Sequence, residues 1–242
     1  MHFKWLVLVA VLLALSVDGL VLWPNFARRV AVDARKARRT LWSQWMLMLW
    51  GCSALVMALW IAQDVPLAEV GLDVPRGWRL WAPIVLIVAV VCAQIPVAVK
   101  IGRLPGPKPK LRAQLGSTGL VMPHTASELP AFLGLSVSAG FCEELLFRGF
   151  LIWILQPMAG WWAAAVVSLA LFAAVHAYQG AAGMVRSATI GAALTAMVAL
   201  THSLWPAIVL HAALDWMGGL TAWLILRDPV ASAQETQALN PR

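Results

Sequence analysis

Residues 128–155 read ELPAFLGLSVSAGFCEELLFRGFLIWIL, an apolar run that carries two adjacent glutamates and an arginine near its middle. A helix needs about 20 apolar residues to cross roughly 30 Å of hydrocarbon, and this run has that length. An ionised side chain at the bilayer centre costs at least about 2.5–3.5 kcal/mol on insertion scales, so Glu143, Glu144 and Arg148 each require a partner or a purpose. The stretch predicts a membrane helix with Gly140 as the point at which it could break.

Outward from it, the chain repeats the pattern of bilayer-length apolar blocks. Of 242 residues, 61% are hydrophobic and 12% charged, against roughly 25% charged in an average soluble domain. Further helices are predicted at about 5–22, 41–62, 80–99, 161–178, 184–201 and 203–226, which gives an all-α polytopic membrane bundle of about seven to eight crossings. Residues 1–115 read as N-terminal helices with basic loops, 116–226 as a catalytic membrane domain, and 227–242 as a polar tail.

The net charge of +7 does not point to nucleic acid, because the basic residues gather between apolar blocks instead of along one face. Arg28 to Arg39 and Lys100 to Arg112 form two such clusters, expected on the cytoplasmic side, with the N-terminus outside and residues 63–78 as an external loop. Cys52, Cys92 and Cys142 lie inside apolar runs without CxxC spacing and read as packing residues. The stretch Ala181–Ala199, rich in Gly, Ala, Ser and Thr, reads as a helix that packs closely on its neighbours.

Helical periodicity sorts the charged residues. Glu144 and Arg148 are four apart and can pair on one face. Glu143 is turned about 100° away and has no cation one turn distant, so it is the carboxylate left free. His211 and Asp215 also share a face, and His176 can approach from a separate helix. A carboxylate with an imidazole beside it can activate water, while the second imidazole and a protonated Asp could support an oxyanion. Asp18, inside the first apolar run, has no partner in sequence and reads equally as a helix contact or an interfacial residue. His202 beside Trp205 and Pro206 reads as interfacial.

Glu143-Glu144-x-x-x-Arg148, Phe172-x-x-x-His176 and His211-x-x-x-Asp215, in this order on successive apolar segments, resemble the motifs of the CAAX prenyl protease and bacteriocin-processing family. VGLDVPRGW at 70–78 is similar to a short stretch that often precedes this region in bacterial members. The resemblance implies an intramembrane endopeptidase in a bacterial plasma membrane, with Glu143 and His176 activating water and His211 and Asp215 supporting the oxyanion. The last motif commonly ends in Asn, and here it ends in Asp215. The family has been described both as metal-independent and as metal-dependent, so either no cofactor or zinc follows. Glu143, His176 and His211 could supply a two-His, one-carboxylate zinc shell, although HExxH spacing is absent.

The expected partners are the lipid bilayer and a membrane-associated peptide or small membrane protein. Two other readings stay open. A non-catalytic immunity or scaffold protein would keep the ion-pair core for stability, and a proton or cation transporter would use buried acids and histidines as a relay. A transporter would also be expected to show an inverted repeat, and no convincing repeat relates the two halves.

Overall fold

In the computed structural model, which describes residues 3–227, the regular elements are helices. They are α1 (Phe3–Val30), α2 (Ala34–Ala62), α3 (Trp78–Arg103), two short helices α4 (Pro109–Leu115) and α5 (Thr118–Val121), then α6 (Ala126–Ala159), α7 (Trp161–Val175), α8 (Ala177–Thr201) and α9 (Trp205–Leu226). Six of these are long and apolar enough to cross a membrane. The seventh apolar helix, α7, has 15 residues and is short for a crossing. The chain is a polytopic helical membrane bundle, and the polar tail from 228 lies outside the described residues.

The basic clusters are more helical than expected. Arg28 and Arg29 sit in the last turn of α1 and Arg35 to Arg39 open α2, so the connection is only residues 31–33. Asp33 caps α2 by accepting from the Lys36 amide at 2.9 Å, and this satisfies one of the free N–H groups at the helix start. Lys100 and Arg103 likewise close α3, and Arg112 lies on α4. Pro83 and Pro96 are both carried inside α3.

Two sets of contacts fix the ends of the bundle. At the basic face, Arg38 Nε donates to Glu128 Oε1 at 2.8 Å, and Glu128 Oε2 accepts from the amides of His124 and Thr125, both at 2.9 Å. Glu128 thereby caps its own helix and pins it to α2. Burial pushes the neighbouring His124 imidazole below its ordinary pKa. On the same face, Arg112 Nη2 donates to the Leu226 carbonyl at 2.8 Å, satisfying the open C-terminus of α9.

At the opposite face the 70–78 stretch is stitched to the α8–α9 turn. The Leu204 amide donates to the Gly71 carbonyl (2.7 Å), Ser203 Oγ to the Asp73 carbonyl (2.7 Å), and Trp205 Nε1 to the Leu72 carbonyl (2.8 Å). His202, at the turn, is exposed with a left-handed backbone at φ 54°.

Helix α6 runs through the centre of the core, and it does not break at Gly140. A Cβ there would lie 2.8 Å from both Cβ and N of Ala212, so the glycine is what lets α6 and α9 touch backbone to backbone. The irregularity comes later, as a π-helical stretch over Glu144–Leu151. Ser168 Oγ, on α7, donates to the Phe147 carbonyl and satisfies a group within that stretch.

Candidate active site

The π-helical stretch begins at Glu144, the second residue of the glutamate pair, and every side chain from Glu144 to Leu151 is buried. Arg148 is only 3% exposed, and each of its three guanidinium nitrogens donates to a fixed point. Nη1 donates to Glu144 Oε1 (2.9 Å), Nη2 to the Gly191 carbonyl (3.1 Å) and Nε to Thr195 Oγ1 (3.4 Å), while the guanidinium lies 4.2 Å over the Phe172 ring. Gly191 is required here, because a Cβ would meet Arg148 Nη2 at 2.9 Å. The small-residue helix α8 thus packs closely, as its composition predicts, and also supplies the carbonyl that holds the arginine.

Glu144 serves two cations or donors at once. Its Oε1 accepts from Arg148 and also from His211 Nδ1, at 2.8 Å. The hydrogen bond places the Nδ1 proton toward Glu144 and turns Nε2 the other way. Nε2 then lies 3.8 Å from Glu143 Oε2 and 3.7 Å from Asp215 Oδ2. These are distances that a water molecule bridges, not direct hydrogen bonds.

Glu143 keeps the freedom expected from its helical angle. Its Oε2 is buried and makes no hydrogen bond within the described residues. Of the two imidazoles, it is His211 and not His176 that lies against it. His176 ends α7, and its Nδ1 bonds the Phe172 carbonyl at 2.7 Å. A carbonyl only accepts, so Nδ1 carries the proton, and when the ring is neutral Nε2 is the acceptor.

Glu143, His176, His211 and Asp215 all border one cavity of about 340 Å³. Leu115 and Thr118 bound it on the side of the basic face, and Gln94 of α3 reaches it from the periphery. The side chain of Asp215 is 43% exposed, that of Glu143 16% and that of Glu144 0%, which grades the carboxylates from open to sealed. Among the described residues no group of three or more His, Cys, Asp or Glu side chains is placed to hold a metal ion. Cys142 is fully buried beside Glu143 and packs in the core.

The sequence pattern did not identify the second partner of Glu144, because His211 is 67 residues away. It also left Asp18 without a partner. Asp18 is 7% exposed, lines the same cavity and accepts from Trp45 Nε1 at 2.6 Å. An acid in an apolar run was the available signal, and the indole donor on α2 carried none.

Residues 125–217 match the family model described as Type II CAAX prenyl endopeptidase Rce1-like. The match spans Glu143, Glu144, Arg148, His176, His211 and Asp215, and it ends short of α1 to α3. No curated protein and no solved structure matches the chain.

Proposed function

We propose that this chain, which over residues 125–217 belongs to the CAAX protease family, is an intramembrane endopeptidase that hydrolyses a peptide bond of a membrane-associated peptide or small protein with water activated by Glu143. The observation that carries the reading is the Glu143 carboxylate itself. It faces a cavity, has an oxygen without a hydrogen-bond partner, and stands beside an imidazole that a second glutamate orients.

In this reading Glu143 takes a proton from a water molecule while His176 Nε2 accepts the water's other hydrogen and aims its lone pair. The water oxygen attacks the scissile carbonyl carbon, and the C–N bond then breaks as Glu143 passes its proton to the departing amine. His211 Nε2, which stands 3.8 Å from Glu143 and 3.7 Å from Asp215, steadies the oxyanion together with Asp215, which requires a proton on one of them. Arg148 and Glu144 touch no substrate. They hold the His211 ring in its tautomer, as an orienting carboxylate does in other His-dependent hydrolases.

The test is digestion of a membrane-peptide mixture by purified protein in lipid nanodiscs, with products read by mass spectrometry. Cleavage is expected to be lost in His176→Ala and His211→Ala and to persist in Cys142→Ala. Full activity in both histidine variants, or loss of activity in well-folded Cys142→Ala, would overturn the assignment.

A further inference from the structure

Charges buried in the bundle mostly have an internal counterpart. Arg38 meets Glu128, Arg148 meets Glu144, and His211 touches Glu143, Glu144 and Asp215. Asp18 differs. It is buried in α1 and makes no ion pair among the described residues, and its one hydrogen bond comes from a neutral indole. A buried carboxylate without a cation is a costly arrangement in lipid unless a partner arrives from outside.

The surroundings specify that partner. Asp18 opens a π-helical segment, Asp18–Leu22, in which the Trp23 amide reaches back to the Asp18 carbonyl. Such segments recur at functional sites. One carboxylate oxygen is held by Trp45, which leaves the other to the cavity shared with Glu143 and His176. Trp45 and Tyr178 border that cavity too, and their rings stand 5.5 Å apart. An acid with two aromatic rings on the wall of the same cavity is the chemistry that recognises an ammonium or guanidinium group. The cation on the cavity wall, Arg186, donates instead to Gln179 Oε1 at 3.1 Å.

We propose that Asp18, with Trp45 and Tyr178, is a specificity site that takes a Lys or Arg side chain of the substrate and so sets the register of the peptide across Glu143. This rests on the peptidase reading. It assigns to α1 and α2, outside the matched segment, a part in choosing among substrates.

The experiment measures binding, not turnover. Glu143→Gln protein in nanodiscs is titrated with fluorescent apolar peptides that carry one Lys scanned along the sequence, each matched by the same peptide with Gln. At one register the Lys peptide is expected to bind roughly 10-fold or more tightly, the scale of a charge-assisted hydrogen bond. Adding Asp18→Asn, which keeps an acceptor for the Trp45 indole, is expected to bring that ratio to about one. An unchanged ratio overturns the proposal. So does equal binding of Lys and Gln peptides at every register by Glu143→Gln alone, a result that needs no Asp18 variant to fold. If wild-type protein cleaves nothing while the Lys preference stands, the hydrolytic reading fails, and with it the setting of a register, while Asp18 keeps its role as a binding site for a Lys or Arg side chain.

Discussion

At the scale of single residues, the site separates carboxylates by what surrounds them. Glu144 is fully buried and its Oε1 is held by both Arg148 and His211, whereas Glu143, one position earlier, borders the cavity and makes no side-chain hydrogen bond among the described residues. Removing one member of the sealed pair leaves the other charge buried and alone. Arg148→Met is therefore expected to destabilise the protein by about 3–5 kcal/mol, read as a fall in thermal midpoint in detergent. Combining it with Glu144→Leu should restore part of that loss but not the turnover, because His211 then has nothing to orient it. Recovery of activity in the double variant would show that the pair does not position His211. The angular sorting of Glu143 from Glu144 was legible in the sequence because it depends only on the helical period. The contact of His211 with Glu144 and that of Trp45 with Asp18 were not, since each joins residues from different helices and neither donor leaves a local pattern.

At the scale of elements, glycines decide how near the functional helices stand. Gly140 meets Ala212 and the Ile208 carbonyl across the α6–α9 crossing, three residues before Glu143. Gly140→Ala must move one backbone against another, with an expected cost of about 1–3 kcal/mol and a loss of turnover larger than the loss of folded protein, because Glu143 shifts against His211. Gly134→Ala, on the same helix with nothing within 4 Å, serves as the control and is expected to leave both unchanged. Sequence reading marked Gly140 as a point at which the helix could break, since glycine weakens helices in water. In a packed membrane bundle its small size matters more, and the helix passes straight through. The π-helical stretch after Glu143 had no such marker. Within it the Phe147 carbonyl accepts from Ser168 of another helix, a contact that leaves no local pattern.

At the scale of the whole molecule, hydropathy alone predicted the apolar helices and their order, although of the seven it marked, six are long enough to cross and α7 is short. Charge in the connections placed both basic clusters on one face, and the ion pair of Arg38 with Glu128 brings the start of α6 to that same face. Single cysteines at Lys108 and Asp64, in a protein lacking its native cysteines, are expected to react with an impermeant thiol reagent from opposite sides of the membrane. Labelling from one side would refute the topology. The central claim is that Glu143 is the base of a hydrolytic site, and it is tested most directly by comparing wild type with Glu143→Gln at equal folded concentration in nanodiscs. Peptide cleavage is expected to fall by about 10²–10⁴-fold, with thermal midpoint and peptide binding retained. Cleavage at the wild-type rate by a well-folded Glu143→Gln protein would contradict it.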